Sequence, residues 1–203
     1  MSTDKPKKVG RPKKTPAIET IEGQTIEQPI EQYALEPLTR HEWSAEDEVG
    51  SILAALIKCH NATNVLELGT LEGYTSKYMI NAVNEIGGAF SSVDVEDKRS
   101  EEIKLLMNQG DHKFITGSSL QVCPTLPRGG YDLIYVDTIH EWHHALPEFK
   151  FVDRLIKQGG LLVYHDTIKF PDMKRLASYV KSFRYQSITI RTPEGNGLSI
   201  FQK

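Results

Sequence analysis

The chain has 203 residues, 39% of them apolar, and a net charge of −3, which together suit one soluble domain with a sizeable core. No segment approaches the roughly 20 apolar residues that a membrane helix needs, and no apolar run follows the lysine-rich start, which disfavours a secretory signal. Cys59 and Cys123 are far apart in sequence, which disfavours a redox motif or a zinc–thiolate site. We therefore predict a cytoplasmic protein that does not enter a membrane.

The first 40 residues differ in composition from the rest of the chain. Residues 1–16 contain six Lys or Arg and one Asp, so the remainder is more acidic than the net charge suggests. Several prolines and a repeated Thr-Ile-Glu follow, without continuous periodicity. We predict a disordered extension, basic and then acidic, over residues 1–40 and one folded domain over residues 41–203.

A short basic motif lies within this extension. Residues 7–14 read Lys-Lys-Val-Gly-Arg-Pro-Lys-Lys. Gly-Arg-Pro flanked by lysines resembles an AT-hook, which lays an arginine along the minor groove of A·T-rich DNA. A solubilising tail has the same composition. The motif therefore leaves two interpretations open, weak contact with DNA or no specific partner.

Segments with helical and strand periodicity alternate from Ser44 onward. Ser44 and Asp47 are spaced as in a capping box, ahead of a helix over residues 44–59. A later helix over residues 142–157 would end at Gly159-Gly160, where glycine relieves a left-handed turn. The other predicted helices cover residues 74–86, 98–109, a short stretch after 119, and 171–183. Strands are predicted over residues 65–68, 90–95, 113–116, 131–136, 161–164, 185–191 and 198–202.

The order of these elements predicts the fold class. Strands that alternate with helices pair in parallel, whereas the last two strands are joined as a hairpin. We therefore predict an α/β fold with a doubly wound, mostly parallel sheet of seven strands, an antiparallel last strand, and helices on both faces.

The turn after the first strand carries the strongest functional signal. Residues 64–78 read Asn-Val-Leu-Glu-Leu-Gly-Thr-Leu-Glu-Gly-Tyr-Thr-Ser-Lys-Tyr, so Glu67 precedes a turn that Gly69 opens and Gly73 closes. Such a turn lets backbone N–H groups and a helix N-terminus approach a ligand. Leu71 replaces the middle glycine of a dinucleotide fingerprint, and no lysine follows as in a P-loop. The turn therefore favours a nucleoside ligand with positive charge over a polyphosphate.

This turn resembles the first motif of the class I S-adenosylmethionine-dependent methyltransferases, in the O-methyltransferase branch, where it reads Glu-x-Gly-Thr-x-x-Gly-Tyr-Ser/Thr. The resemblance spans about residues 44–203 and implies a Rossmann-like fold with S-adenosylmethionine as cofactor. Asp94 would accept the ribose hydroxyls, although a solvated turn acid would look the same. Ser118 and Ser119 would lie at the adenine edge or only cap a helix. The cofactor-binding residues that the resemblance implies are Glu67, Gly69, Thr70, Gly73, Tyr74, Asp94, Ser118, Ser119 and Asp137.

Acids and histidines follow the fourth and fifth strands. Asp137 ends the fourth strand with His140 three residues on, and His165-Asp166-Thr167 ends the fifth. In a doubly wound sheet these ends meet at the ligand crevice. Metal-dependent O-methyltransferases hold a divalent cation with the matching acids, so the resemblance implies a cation, with Mg²⁺ preferred, at Asp137, Asp166 and Thr167.

Two positions depart from the catechol-type relatives, because Thr167 stands in place of asparagine and His140 in place of lysine. Asp-x-x-His with a later His-Asp is similar instead to a subgroup that includes sugar and macrolide O-methyltransferases and cephalosporin-hydroxylase-like proteins. The departure widens the range of substrates that the resemblance implies.

His140 has more than one interpretation. Its reference pKa of about 6.5 suits a general base, but it would equally serve as a metal ligand or as a helix cap. His144 lies four residues further on the same helix face, so a His-His-carboxylate site for zinc or iron also stays open. A solvated helix face would place His143 and His144 in the same pattern. We predict His140 and Asp137 as the catalytic residues.

The function that this resemblance implies is methyl transfer from S-adenosylmethionine to a hydroxyl of a small molecule or sugar. One alternative is a nucleic-acid-associated protein that carries a methyltransferase-fold module through its AT-hook-like tail, and another is a methyltransferase-fold protein with other metal-assisted chemistry. Methylation of DNA amino groups is disfavoured, because Asp137-Thr138-Ile139-His140 replaces the Asp/Asn-Pro-Pro-Tyr motif. A homodimer also stays open.

Overall fold

The computed structural model describes residues 19–21, 24–26, 38–183 and 185–203. The chain divides into two compact units, residues 1–36 and 37–203. In the first unit, β1 (Glu19–Ile21) pairs antiparallel with β2 (Gln24–Ile26), so the repeated Thr-Ile pairs lie in a small ladder where we predicted no strand. The AT-hook-like residues 7–14 and most of the predicted extension lie outside the described residues.

The described residues of the second unit form a seven-stranded sheet and six α-helices. The strands are β3 (Asn64–Leu68), β4 (Ala89–Asp94), β5 (Asp111–Thr116), β6 (Tyr131–Val136), β7 (Ile156–Tyr164), β8 (Gln186–Ile190) and β9 (Leu198–Gln202). The helices are α1 (Asp47–His60), α2 (Tyr74–Glu85), α3 (Glu101–Met107), α4 (Ser119–Val122), α5 (Trp142–Leu155) and α6 (Pro171–Lys181). Among the described residues, no helix is both long enough and apolar enough for a membrane span.

The strand order is β5-β4-β3-β6-β7-β9-β8, and β9 runs antiparallel to both of its neighbours while the other pairs are parallel. This confirms the predicted doubly wound sheet with one antiparallel strand. The order of the strands reverses at β3, because β4 pairs with one edge of β3 and β6 pairs with the other. Ligands bind at the carboxyl ends of the strands at such a switch point.

Alternating side chains of the central strands bury two separate cores, one on each face of the sheet. Leu66 and Ile134 pack with α5 and α6, whereas the adjacent Val65 and Leu133 pack with α1, α2 and α3. Each face is therefore covered by helices, as predicted.

Two signals from which helix boundaries were predicted are wrong. Helix α1 begins at Asp47 with Glu46 at its N-cap and no side-chain cap bond, so the capping box at Ser44 is absent. Helix α5 ends at Leu155 and leads directly into β7, so Gly159-Gly160 lie within the strand. Between two pairs with β6, β7 advances five residues while β6 advances two. The glycines therefore belong to a bulge, where Gly159 has φ +80°.

Candidate active site

The glycine turn between β3 and α2 packs directly on the chain segment that leaves β6. Gly69 has φ +89°, and a Cβ atom there would lie 1.9 Å from the carbonyl oxygen of Asp137. Only glycine fits this contact. Gly73 also has a positive φ and packs against the side chain of Ile103. These two positions shape the turn and bring it next to Asp137.

A cavity of about 330 Å³ opens at this switch point. Three of its walls are the glycine turn, the residues after β4 and β5, and the segment that follows β6. The predicted site residues that line it are Glu67, Gly69, Thr70, Tyr74, Asp94, Ser118, Ser119, Asp137 and His140. Gly73, Asp166 and Thr167 are not among the lining residues. The structure thus gathers most of the predicted cofactor residues around one space.

Asp94 holds the glycine turn in place. Its Oδ2 accepts hydrogen bonds from the backbone N–H groups of Thr70 and Leu71, both at 2.8 Å, and its Oδ1 accepts one from Val95 at 2.7 Å. A carboxylate offers about four acceptor positions, so it retains capacity for a ligand hydroxyl. The predicted contact with a ribose stays a prediction.

Glu67 is a fully buried acid at the cavity floor. Ser76 donates a hydrogen bond to Oε2, whereas Oε1 has no hydrogen-bond partner. Burial raises the pKa of Glu67 to about 8, and the charges of Asp137 and Asp94 act in the same direction. A positively charged ligand in the cavity would favour the ionised form of this acid.

Asp137, His140 and Asp166 form a cluster beside the cavity. His140 Nε2 lies 3.1 Å from Asp166 Oδ2 and 3.4 Å from Asp137 Oδ1, and one ligand atom of each residue lies within 4.8 Å of the others. The His140 ring stacks on Phe170 with centroids 4.4 Å apart. Among the described residues, this is the group of His, Cys, Asp and Glu side chains that could hold a metal ion.

His165 and Glu46 back this cluster from the protein interior. His165 Nδ1 lies 3.4 Å from Asp137 Oδ2 and 3.6 Å from Asp166 Oδ2, and its Nε2 lies 3.0 Å from Glu46 Oε2. Burial lowers the pKa of His165, but Asp137, then Asp166 and Glu46, outweigh it and raise the pKa to about 9. The histidine is therefore protonated at neutral pH and stabilises the acids around it.

The two acids of the cluster respond differently to their surroundings. Burial alone would raise the pKa of Asp137, but His165 and His140 hold it well below its usual range. Burial raises the pKa of Asp166, and the charge of Asp137 adds to this. Asp166 Oδ1 is buried and has no hydrogen-bond partner. One acid is thus already ionised, and the other would gain most from a nearby cation.

Thr167 lies next to the cluster in sequence but makes other contacts. Its Oγ1 accepts a hydrogen bond from Ser199 Oγ at 2.8 Å, and its backbone N–H donates to Gly197. The hydroxyl is therefore engaged with the hairpin of β8 and β9. Its predicted role as a metal ligand stays a prediction.

A second histidine network lies at the part of the cavity that Ser119 and His144 line. His144 Nε2 lies 3.2 Å from Ser119 Oγ and 3.3 Å from Glu148 Oε1, and the Thr138 hydroxyl donates to Glu148. His144 is buried, so a solvated helix face is the wrong interpretation for it, whereas His143 is 80% exposed. His144 is also absent from the metal-ligand cluster. It joins the segments after β5 and β6 instead.

Comparison with known families agrees with this geometry. A model of the methyltransferase-domain family matches residues 66–167, half of the chain. The chain belongs to this family. The match confirms the resemblance seen in the glycine turn, and it includes Glu67, Asp94, Asp137 and Asp166.

Several curated proteins and solved structures that resemble this chain are named as O-methyltransferases. Caffeoyl-CoA O-methyltransferase of Medicago sativa is 29% identical over 167 residues, which cover 73% of this chain and 66% of the relative. Catechol O-methyltransferase of Mycobacterium tuberculosis is 24% identical over 124 residues, covering 59% and 55%. The chain thus spans about half to two thirds of these relatives. An O-methyltransferase structure from Bacillus cereus in complex with SAH (S-adenosylhomocysteine) covers 80% of this chain and 84% of its own, with a TM-score of 0.67 at 18% identity.

Sequence reasoning missed three residues of this methyltransferase domain that the structure places at the site. Glu46 and Glu148 are buried acids that were not among the candidates, and His165 was noted only as the end of a strand. Glu148 could have been found from its spacing, since it lies four residues after His144 and therefore on the same face of the predicted helix. Glu46 had none, because its partner is 119 residues away in sequence.

Proposed function

We propose that this methyltransferase domain transfers the methyl group of S-adenosylmethionine to a hydroxyl oxygen of a small molecule or sugar. The observation that carries the proposal is the cavity itself, which joins the glycine turn and Asp94 to Asp137 and His140 at one switch point. The relatives named as caffeoyl-CoA and catechol O-methyltransferases support an oxygen acceptor. The Bacillus cereus structure in complex with SAH supports the cofactor.

The cofactor would lie along the glycine turn. S-Adenosylmethionine carries a sulfonium and an ammonium group, and Glu67 offers an unpartnered oxygen at the cavity floor. Asp94 would accept from the ribose while it holds the turn through Thr70 and Leu71. Ser118 and Ser119 line the cavity after β5, where the adenine edge is expected. These contacts would orient the reactive methyl group toward Asp137.

The residues after β6 and β7 fit a divalent cation. Asp166 has a buried oxygen with no hydrogen-bond partner, and Asp137 and His140 offer ligand atoms beside it. Such a cation, when bound, would lower the pKa of an acceptor hydroxyl. Mg²⁺ is the ion that the family resemblance favours. Asp137 and Asp166 would hold it, and His140 would serve either as a further ligand or as the base that takes the hydroxyl proton.

The rate enhancement would come mainly from positioning. Methyl transfer from a sulfonium to an oxygen is a direct displacement that forms no covalent enzyme intermediate, so the domain must hold the two atoms in line and exclude water. Tyr74 and Ile139 line the cavity. The acceptor would enter past these side chains.

Calorimetry tests the cofactor assignment. The full chain is titrated with S-adenosylmethionine and with S-adenosylhomocysteine, each with and without Mg²⁺, beside the Asp94→Asn variant. We expect both compounds to bind the unaltered chain and Asp94→Asn to weaken them about tenfold, because a charged hydrogen bond is lost. Glu96→Gln changes an exposed acid two residues further on and is the matched control.

Failure of both compounds to bind would reject the proposed function. Unchanged affinity in Asp94→Asn would reject only the ribose contact. The acceptor is then sought by radiolabelled methyl transfer to panels of phenols, sugars and other alcohols. DNA contact through residues 7–14, homodimer formation and a cytoplasmic location stay predictions.

A further inference from the structure

We propose that His140 is a ligand of the cation rather than the general base, and that the site therefore binds a transition-metal ion such as Mn²⁺ in preference to Mg²⁺. This proposal rests on one part of the proposed function, namely that a cation binds at Asp137 and Asp166. It assigns one of the two roles that remained open for His140.

The spacing of the cluster already suits a metal ion. Two ligands bound at about 2.1 Å lie about 3.0 Å apart at a right angle and about 3.4 Å apart at a tetrahedral angle. His140 Nε2 lies 3.1 Å from Asp166 Oδ2 and 3.4 Å from Asp137 Oδ1. Each of these carboxylate oxygens would therefore need little rearrangement to share a cation with His140 Nε2.

The orientation of the His140 ring disfavours the role of base. Its face stacks on Phe170, with the two rings inclined by 28°. This contact holds Nε2 toward both carboxylates. A base must direct that nitrogen at the hydroxyl of the acceptor, but here the same nitrogen faces the position that the cation would take.

Buried polar atoms around the cluster point independently to a missing ligand. Asp166 is only 7% exposed, yet its Oδ1 has no hydrogen-bond partner. His165 contacts the Oδ2 atoms of both acids from behind, and Glu46 contacts His165 in turn. Outer contacts of this kind orient the carboxylates of a metal site. The interior thus supports the Oδ2 atoms of both acids, while the buried Oδ1 of Asp166 is left for a ligand that the protein does not supply.

The chemistry of the donor set decides which cation fits. Mg²⁺ prefers oxygen ligands and retains several waters, whereas imidazole suits transition-metal ions. A site with two carboxylates and one imidazole therefore favours Mn²⁺ or a neighbouring ion over Mg²⁺. An Asp-Asp-Thr set would show the opposite preference.

The test uses the metal-depleted, untagged full chain. Binding of Mn²⁺ and of Mg²⁺ is measured by calorimetry, and pulsed electron paramagnetic resonance of the Mn²⁺ complex detects nitrogen bound to the ion. We compare the unaltered chain with His140→Ala and His140→Asn. His143→Ala removes a neighbouring histidine that is 80% exposed and is the matched control.

We expect Mn²⁺ to bind the unaltered chain and the control at least about tenfold more tightly than Mg²⁺, with a clear nitrogen signal. His140→Ala should lose the nitrogen signal and weaken Mn²⁺ binding about 10- to 100-fold, with Mg²⁺ binding little changed. His140→Asn supplies an oxygen in place of the nitrogen, so it should lose the signal while binding both ions.

A nitrogen signal that persists in both His140 variants, or one that is absent from the unaltered chain, would overturn the proposal. Equal loss of Mg²⁺ and Mn²⁺ in His140→Asn would also overturn it. S-Adenosylhomocysteine is titrated separately into each metal-free protein. Failure of both this compound and S-adenosylmethionine to bind would reject the proposed function, while the nitrogen signal still reports on His140.

Discussion

Two networks at the cavity each pair a buried histidine with a buried glutamate. In the first, called here the acid-side network, His165 joins Glu46 to Asp137 and Asp166. In the second, the cofactor-side network, His144 joins Glu148 to Ser119, and Glu148 also accepts from Thr138. The residue types are alike, but the surroundings differ.

The two networks differ in whether their buried polar atoms all have hydrogen-bond partners. Buried oxygens of Glu46 and Asp166 have no partner in the acid-side network. No buried side-chain atom of the four cofactor-side residues, all within the described part of the chain, lacks one. A satisfied network stabilises the fold, whereas an unsatisfied one is costly unless a ligand completes it. The acid-side network therefore has buried oxygens that a bound ligand would satisfy, whereas the buried side-chain atoms of the cofactor-side network are satisfied within the protein.

The largest expected effect is a loss of turnover, without a loss of cofactor affinity, when the acid-side network loses Asp166. Asp166→Ala should lower methyl transfer about 1000-fold, because a cation in this position would contribute several kcal/mol to the transition state. The affinity for S-adenosylhomocysteine should be unchanged, since Asp166 does not line the cavity. Initial rates with an acceptor found in the panel, together with calorimetry, measure both quantities. Unchanged turnover would remove Asp166 from the active site.

Glu67 is a third buried glutamate at the cavity, and it has no histidine partner. Its pKa rises from an ordinary value of 4.5 to about 8 on folding. The folded state therefore holds a proton that the unfolded state has lost between these pH values, so stability falls as pH rises through this window. We expect a loss on the order of 3 kcal/mol between pH 5 and pH 8 that Glu67→Gln abolishes.

Urea unfolding of both proteins at several pH values measures this loss. Parallel stability curves for the unaltered chain and Glu67→Gln would show that Glu67 ionises normally. Added S-adenosylmethionine should reduce the loss, because its positive charge favours the carboxylate.

A substitution in the cofactor-side network should lower the stability of the fold. Glu148→Ala should lower the free energy of unfolding by about 2 kcal/mol, because it leaves His144 and Thr138 without a buried partner. Denaturant unfolding measures the change. Glu141→Ala removes an exposed acid before the same helix and should stay within about 0.5 kcal/mol. Equal effects in the two variants would show that the network adds no stability.

The smallest expected effect tests the outer part of the acid-side network. Glu46→Gln should weaken Mn²⁺ binding about tenfold with little change in melting temperature, because it removes the charge that orients His165. Glu48→Gln, two residues further on in α1, is the matched control. Glu46→Gln and His165→Asn combined should weaken binding no more than His165→Asn alone. Additive losses in this cycle would mean that the two residues act independently.

The sheet and the glycine turn could be predicted because their signals are local. Short apolar runs mark β3 and β6, and two glycines mark the turn, so neighbouring residues alone decide these features. The bulge at Gly159-Gly160 could not be predicted, since it depends on the register with β6. The contact between Glu46 and His165 likewise depends on the completed fold. The burial of His144 required knowing which face of α5 meets the sheet.

Gly69 has a mechanical consequence for the site. Its Cα stands against the carbonyl of Asp137 with no room for another atom, and the backbone N–H of Asp137 donates to Leu68. The backbone of the glycine turn and the backbone of the segment that begins at Asp137 are therefore in direct contact, with a fixed spacing. Substitutions of side chains would change the shape of the cavity but not this backbone spacing. In the proposed function, the spacing would set the separation between the methyl donor and the cation.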